Sequence, residues 1–219
     1  MDFLSKREAA PFLSPIDNAA RTRDHAGMPR RQSRMLTLGT NAPHFALRDT
    51  VSGRTITLEQ FASSPALLVA FICNHCPFVK HILDGFVGFA REVAPRGLAI
   101  VAISSNDVDS YPADAPDEMR RIGQSRGFTF PYLHDESQEV AKAYQAVCTP
   151  DFFLFDRNRR LVYRGQFDGS RPGNTIPVTG SDLRAAVEAL LGGRPVPQEQ
   201  TPSVGCSIKW KPGREPEWA

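Results

Sequence analysis

The 219-residue sequence lacks the features that identify a membrane or secreted protein. No stretch approaches the roughly 20 apolar residues that a membrane-spanning helix requires. A secretory signal is not predicted either, because the apolar pair Phe3-Leu4 is followed at once by a polar run at 5–8. Net charge is also scarce, and a formal charge of +2 indicates no nucleic-acid partner. We expect a cytoplasmic protein that binds neither membrane nor nucleic acid.

Cysteine is scarce as well, with four residues spread along the chain: Cys73, Cys76, Cys148 and Cys206. A secreted scaffold held together by disulfides needs a much higher density of cysteine than this. In a protein that is not secreted, a few cysteines at defined spacing indicate redox or metal chemistry before structural bridges. The four sulfur atoms are therefore the first candidates for function.

The length and an apolar content of 41% suit one domain with extensions. Residues 1–35 contain seven basic residues, and five of these are arginines that follow position 20. The apolar residues of this segment form no helical stripe, so we predict a disordered extension. An alternative is that Met35 is the natural start, because foldable sequence begins directly after it. Residues 36–193 form the predicted domain, and the Pro-rich tail at 194–219 is expected to pack on or near it.

The apolar pattern of the predicted domain indicates alternating strands and helices. An uninterrupted apolar run at 66–72 is typical of a strand buried on both faces in a parallel sheet. Apolar residues at spacings of three and four after Pro77 predict a helix that ends near Pro95. Two glycines inside this helix, Gly85 and Gly88, are expected to allow close packing, because each lowers helix stability by about 1 kcal/mol relative to alanine.

The remaining segments complete an α/β order. Strands are predicted at 98–104 and 130–134, an N-terminal β-hairpin at 44–48 and 55–58, and a second antiparallel hairpin at 152–155 and 161–167. Helices are predicted at 117–127, at 137–147 with Ser137 as its cap, and at 181–191 with a glycine stop after it. This order predicts a central mixed β-sheet flanked by helices on both faces.

Cys73 and Cys76 form a C-x-x-C motif between the first buried strand and the following helix, where open α/β sheets place their ligands. The unpaired N–H groups of a helix N-terminus favour an anion and lower the pKa of a nearby thiol. Cys76 lies one helical turn on, close enough to resolve a mixed disulfide at Cys73. We predict Cys73 as the nucleophile and Cys76 as the resolving cysteine. His75 either stabilises the thiolate or is a solvated side chain without influence.

The chain resembles the thioredoxin-like superfamily over residues 38–191. Its opening at 41–47, Asn-Ala-Pro-His-Phe-Ala-Leu, resembles the start of redoxin and AhpC/TSA-type domains. The run Cys-Thr-Pro-Asp at 148–151 resembles the Thr-Pro loop of the superfamily. The resemblance implies that Pro150 is cis and lies with Thr149 beside the reactive pair.

A further run, Gly-Cys-Ser-Ile-Lys-Trp at 205–210, completes a pattern that resembles a peroxiredoxin-like subgroup of the superfamily. The resemblance implies a thioredoxin-like fold and thiol chemistry that needs neither cofactor nor metal. It predicts a thiol-disulfide oxidoreductase in redox homeostasis. A protein or small-molecule disulfide would be its substrate, and a thiol reductant would restore it.

Three other functions are open. A peroxiredoxin-like thiol peroxidase with antioxidant activity is one, although neither Cys73 nor Cys76 fits the Pro-x-x-x-Thr-x-x-Cys loop of such peroxidases. Another is a zinc site at these two cysteines, completed by Cys148 or Cys206. The third is a groove beside Pro150 that binds extended peptide without catalysis.

Two parts of the predicted chemistry allow alternatives. The strand at 66–72 contains no acid that could accept a proton, so the candidates are nearby: His75, Lys80, His81 and Asp151. Cys148 and Cys206 are either a buried thiol and an exposed tail thiol or an auxiliary redox couple. In the second interpretation, Cys206 returns over the active site or pairs with Cys148.

Overall fold

The computed structural model describes residues 30–218, and residues 1–29 and 219 lie outside this range. The strands of the described range are β1 (Arg30–Gln32), β2 (Ala46–Asp49), β3 (Thr55–Thr57), β4 (Ala66–Phe71), β5 (Leu98–Ser104), β6 (Tyr132–His134), β7 (Cys148–Thr149), β8 (Asp151–Phe155), β9 (Leu161–Gly165) and β10 (Val204–Ser207). Its α-helices are α1 (Pro77–Val93), α2 (Pro116–Arg126), α3 (Glu139–Ala143) and α4 (Ser181–Leu191). No helix between residues 30 and 218 is long and apolar enough to cross a membrane.

The main sheet has seven strands in the order β3-β2-β6-β5-β4-β8-β9. Strands β4, β5 and β6 run parallel, whereas β8 and β9 on one side and β2 and β3 on the other add antiparallel pairs. All six residues of β4 are buried, because this strand lies inside the sheet and both of its faces are covered. The mixed sheet predicted from the order of elements is confirmed, and its N-terminal hairpin β2–β3 extends the sheet through β6.

Helices cover both faces of this sheet and form two separate cores. Successive side chains of a strand point to opposite faces, so Leu68 and Ala70 of β4 lie in the core under α1 and α4. Val69 and Phe71 lie in the opposite core, where Tyr144 after α3 packs against Phe71 at a ring-centroid distance of 5.4 Å. This arrangement fixes the carboxyl end of β4, where the C-x-x-C motif begins.

A second, three-stranded sheet has the order β1-β10-β7, with both pairs antiparallel. Strand β10 comes from the Pro-rich tail, which the sequence left without secondary structure. Strand β1 comes from the predicted disordered extension, and that prediction is wrong for residues 30–32, which pair with 204–206. The rest of the extension, residues 1–29, lies outside the described residues.

Two local predictions also differ from the structure. The helix predicted at 137–147 is limited to α3, because Gln138 and Gln145 adopt left-handed conformations with φ of 65° and 51° on either side of it. The prediction that both glycines of α1 allow close packing holds for one of them. A Cβ atom at Gly85 would lie 2.7 Å from Cγ1 of Val178, whereas one at Gly88 would meet nothing within 4 Å.

Candidate active site

The two cysteines of the motif lie between β4 and α1, at the carboxyl edge of the main sheet. Cys73 follows β4 by two residues, and Cys76 is the residue directly before α1. Pro77 is the first residue of α1, a position that proline favours because no backbone N–H is needed there. The local fold therefore separates the two positions: Cys76 belongs to the helix N-terminus, and Cys73 to the loop before it.

Cys73 is buried, with 1% of its surface exposed, but it lines a cavity of about 190 Å³. Its Sγ lies 3.3 Å from Oγ1 of Thr149. The cavity is lined mainly by apolar side chains and by two cationic ones; its other lining residues are Ile72, Asn74, Val79, Lys80, Leu83, Ile122, Arg126, Phe128 and Tyr132. Cys73 is thus reached through the cavity and not from open solvent.

Cys76 is fully buried and is covered by two other segments. Its Sγ lies 3.2 Å from the carbonyl oxygen of Thr149, which accepts a hydrogen bond from the protonated thiol. The Sγ atom of Cys206, in β10, lies 2.8 Å from it. The Thr149–Pro150 peptide bond is cis, and Thr149 contacts the sulfur atoms of both Cys73 and Cys76.

His75 is held by a buried carboxylate that the sequence did not single out. Its Nδ1 lies 2.6 Å from Oδ2 of Asp114 and 3.9 Å from Sγ of Cys73. The ring also stacks on Tyr111 with centroids 5.0 Å apart. Because the shorter contact is with Asp114, the Nδ1 proton is shared mainly with the carboxylate, and the predicted stabilisation of the Cys73 thiolate by His75 stays a prediction.

Asp114 organises the whole loop around His75. Its Oδ1 accepts the backbone N–H groups of Asn74 and His75 at 2.7 and 3.1 Å, and its Oδ2 also accepts the Asn106 amide at 2.8 Å. Burial alone would raise the pKa of Asp114, but the hydrogen bonds from His75, Asn106 and the backbone N–H of Asn74 lower it. A carboxylate is therefore fixed, ionised, beside the motif.

The environment separates the two cysteines in acidity. Burial raises the pKa of Cys73, and its hydrogen bond to Cys76 and the charge of Asp114 raise it further. Burial also opposes ionisation of Cys76, but hydrogen bonds from Cys206 and Cys73 and the backbone N–H of Val79 outweigh it and lower the pKa of Cys76. These directions differ from the lowered pKa expected at Cys73, because the backbone N–H of Val79 in the first turn of α1 acts on Cys76 and the charge of Asp114 acts on Cys73. The roles of the two cysteines stay a prediction.

The remaining proton-transfer candidates lie in different places. Lys80 is exposed at the rim of the cavity, and Nε2 of His81 contacts Oγ of Ser170 at 2.7 Å. Asp151 is fully buried directly after Pro150 and lies opposite Phe71 in the register of β4 and β8. Burial raises the pKa of Asp151 to about 7, although hydrogen bonds from neighbouring groups oppose this. This pKa would allow Asp151 to change protonation near neutral pH.

Cys148 and Cys206 are both buried, so the interpretation of Cys206 as an exposed tail thiol is wrong. Strand β10 folds back over the motif and places Cys206 on Cys76. Cys148 lies opposite Ser207 in β7, with its Sγ 3.8 Å from the carbonyl oxygen of Pro150. Burial raises the pKa of Cys148, which keeps this thiol protonated and unreactive.

One group in the described range places three possible metal ligands close together. One ligand atom each from Cys73, His75 and Asp114 lies within 4.8 Å of the others. The carboxylate already accepts four hydrogen bonds, which is about its full capacity. The arrangement is that of a hydrogen-bonded Asp-His pair beside a thiol.

Asp114, Asn106 and Tyr132 are site residues that sequence reasoning missed. Tyr132 donates its hydroxyl hydrogen bond to Oδ1 of Asn74 at 3.1 Å. One signal was available: the Pro/Asp-rich loop follows β5, a strand parallel to β4, so its side chains reach the same edge of the sheet. That loop contains several acids, and nothing in their spacing selects Asp114.

Comparison with known proteins identifies the family of the chain. The profile of the AhpC/TSA family matches residues 38–164. A curated relative, the 1-Cys peroxiredoxin A of Oryza sativa subsp. japonica, is 23% identical over 191 residues, which cover 81% of this chain and 80% of that protein.

Two solved structures are similar in fold. An uncharacterized conserved protein from Geobacillus kaustophilus is 55% identical with a TM-score of 0.84, over 85% of this chain and 99% of that one. A thiol:disulfide interchange protein of the thioredoxin family from Chlorobium tepidum TLS is 18% identical with a TM-score of 0.55, over 71% of this chain and 99% of that one. The second likeness concerns the fold alone, and it agrees with the thioredoxin-like fold expected from the sequence.

Proposed function

The chain belongs to the AhpC/TSA family, and from this membership and the geometry of its sulfur atoms we propose that it is a thiol-disulfide oxidoreductase. Cys73 is the nucleophilic cysteine that attacks the substrate, and Cys76 is the resolving cysteine. The observation that carries the proposal is that Cys73 lines the cavity beside the motif, whereas Cys76 is covered by Thr149 and Cys206. A disulfide substrate therefore meets Cys73 first.

The acidity of the pair supports a proton relay between its two thiols. The environment favours the proton on Cys73 over Cys76, because hydrogen bonds lower the pKa of Cys76, whereas burial and the charge of Asp114 raise the pKa of Cys73. Transfer of the Cys73 proton to Cys76 creates the attacking thiolate. The carbonyl oxygen of Thr149, 3.2 Å from Sγ of Cys76, accepts the hydrogen bond of the newly protonated thiol.

The reaction then follows in two exchanges. The Cys73 thiolate attacks one sulfur of the substrate disulfide; that S–S bond breaks, and the leaving thiolate takes up the proton from Cys76. The Cys76 thiolate next attacks the Cys73 sulfur, and the second substrate thiolate leaves and is protonated by solvent. The substrate gains two electrons and two protons, and the protein holds a Cys73–Cys76 disulfide.

Trapping of the mixed disulfide tests this assignment. Reaction with oxidised glutathione is expected to give a stable glutathione adduct at Cys73 in the Cys76→Ser variant and no adduct at Cys76 in the Cys73→Ser variant. Insulin reduction is expected in the wild type and only at the uncatalysed rate in the Cys73→Ser variant. An adduct found on Cys76 would reverse the two roles, and equal insulin reduction by wild type and Cys73→Ser would refute the proposal.

Peroxide reduction is a second candidate, favoured by the curated peroxiredoxin relative and by Arg126 and Lys80, which line the same cavity as Cys73. In this reaction the Cys73 thiolate would attack a peroxide oxygen and become a sulfenic acid, with water or an alcohol as the leaving group. Cys76 would then condense with it to a disulfide and release water. Labelling of Cys73 by dimedone in Cys76→Ser after addition of hydrogen peroxide would support this activity, and absence of both label and peroxide consumption would exclude it.

A further inference from the structure

The C-terminal strand brings a third sulfur atom to the reactive pair. Sγ of Cys206 lies 2.8 Å from Sγ of Cys76, and both residues are buried. A disulfide bond is about 2.05 Å long, so the two sulfur atoms need to approach by about 0.8 Å to form one. The two residues are 130 positions apart, and the contact exists only because β10 folds back over the motif.

The position of Cys206 is fixed by strand pairing on both sides and by the close approach of the preceding glycine to the Thr-Pro loop. On one side it pairs with Thr149 of β7, and on the other it pairs with Arg30 of β1. A Cβ atom on the preceding residue, Gly205, would lie 2.0 Å from the carbonyl oxygen of Thr149. Only glycine allows β10 to lie this close to the Thr-Pro loop, and this approach places the next residue on Cys76.

The sulfur atom of Cys76 therefore contacts the sulfur atoms of both other cysteines. Cys73 and Cys206 both donate hydrogen bonds that favour the Cys76 thiolate. Because a thiol that contacts a disulfide sulfur is positioned to attack it, Cys206 faces the buried sulfur of any Cys73–Cys76 disulfide. Cys148, which is equally buried, instead contacts the carbonyl oxygen of Pro150.

We propose that Cys206 is a third redox cysteine, which takes over the disulfide from Cys73 and transfers it to a Cys76–Cys206 bridge. This inference rests on the proposed function, which supplies the Cys73–Cys76 disulfide. The Cys206 sulfur attacks Cys76; the Cys73–Cys76 bond breaks, the Cys76–Cys206 bond forms, and the proton of Cys206 passes to the released Cys73 thiolate. One disulfide is consumed and one is formed, so no further oxidant is required.

The transfer has a consequence for the substrate cavity. Cys73, the cysteine that lines the cavity, becomes a thiol again. The disulfide now joins Cys76 to Cys206 of β10. The oxidised protein then carries a covalent link between the N-terminus of α1 and the C-terminal strand. A dithiol reductant that opens this link restores the three thiols.

Disulfide mapping of the full chain tests the transfer. The protein is treated with one equivalent of oxidised glutathione, quenched in acid, alkylated with N-ethylmaleimide and digested with trypsin. Cys73 and Cys76 share the tryptic peptide 55–80, whereas Cys206 lies in 185–209 and Cys148 in 143–157. A Cys73–Cys76 bridge therefore stays within one peptide, and a Cys76–Cys206 bridge joins two.

A link between peptides 55–80 and 185–209 is expected in the wild type. With diamide as the oxidant, the same link is expected in Cys73→Ser, which retains both sulfurs of the bridge, and it is expected to be lost in Cys76→Ser. The Cys148→Ala variant is the matched control and is expected to give the wild-type map. A wild-type map with only the bridge inside 55–80 would overturn the transfer and leave the proposed function intact. The inter-peptide link without any insulin reduction would support the bridge and refute the proposed function.

Discussion

One buried carboxylate, Asp114, both shapes the loop of the motif and adds to the effect of burial on Cys73. Asp114 accepts the N–H groups of Asn74 and His75, so it fixes the loop that carries Cys73. The same carboxylate opposes ionisation of Cys73, because it places a second negative charge beside the thiol. Asp114 thus fixes the loop and, together with burial and the hydrogen bond to Cys76, raises the pKa of Cys73.

Replacement of this charge gives a first prediction. In Asp114→Asn the pKa of Cys73 is expected to fall, since burial remains but the adjacent negative charge is gone, and alkylation of Cys73 at pH 7 is expected to become about tenfold faster. Iodoacetamide labelling, localised by fragmentation of peptide 55–80, measures the rate. Asp109→Asn, an exposed acid of the same loop, is the control, and an unchanged or slower rate in Asp114→Asn would contradict this electrostatic account.

Asp151 gives a pH dependence of stability whose sign can be stated. Its folded-state pKa of about 7 lies above the ordinary value of 3.8, so between these values the folded state binds more protons than the unfolded state. Stability therefore decreases as pH rises from about 4 to about 7 and is constant beyond. Asp151→Asn is expected to remove this contribution, which amounts to at most roughly 4 kcal/mol.

Urea unfolding of wild type and Asp151→Asn between pH 4 and pH 8 measures this contribution. The free-energy difference between the two proteins is expected to grow in favour of the variant up to about pH 7. Asp109→Asn is expected to show no such trend. A difference that stays constant across this range would mean that Asp151 is already ionised in the folded protein.

At the scale of elements, β4 and α1 present the motif and β10 covers it. The apolar run of β4 and the spacing in α1 are local properties, and each follows from its own sequence. The approach of β10 depends on Gly205, which has no Cβ atom to collide with Thr149. Strand β10 therefore depends on a contact between residues 56 positions apart.

Alanine at Gly205 is expected to lower the free energy of unfolding by about 2 kcal/mol, because the new methyl group overlaps backbone that cannot move aside without shifting β10. Gly88→Ala provides a comparison of opposite sign: its Cβ meets nothing within 4 Å, so about 1 kcal/mol of stabilisation is expected from helix propensity. Chemical unfolding measures both. A Gly205→Ala protein as stable as the wild type would show that β10 is not held this tightly.

At the scale of the whole molecule, the two ends of the described chain meet over the reactive pair. Strand β1 pairs with β10, and Oγ of Ser33 donates a hydrogen bond to Oδ2 of Asp151 at 3.1 Å. The three-stranded sheet thus joins both terminal segments to Cys76, which Cys206 of β10 contacts.

This arrangement can be tested by shortening the chain. A protein that begins at Met35, the alternative start, lacks β1 and Ser33, whereas one that begins at Arg30 retains both. The shorter protein is expected to unfold at lower urea concentration, by about 1 to 3 kcal/mol, because buried hydrogen bonds are lost. Its Cys76 and Cys206 are also expected to react faster with a thiol-specific reagent. Equal stability and equal thiol reactivity of the two proteins would assign no covering role to β1.

The sequence by itself determined the sheet, most of its helices and the position of Cys73 and Cys76, because apolar periodicity and glycine or proline boundaries act within a few residues. The Thr-Pro loop was identified through a resemblance and not through its own pattern. The short α3 was overestimated, since the left-handed conformations at Gln138 and Gln145 are not evident from their residue type.

Only the tertiary structure decided which groups shift the pKa values of the two cysteines and which strand covers Cys76. Asp114 acts on Cys73 across 41 positions, and Cys206 contacts Cys76 across 130. Burial, which sets the pKa of Cys73 and Asp151, results from all the segments that pack around a site. Distances between residues far apart in the chain follow from the packing of the whole domain, so no local pattern of residue types could supply them.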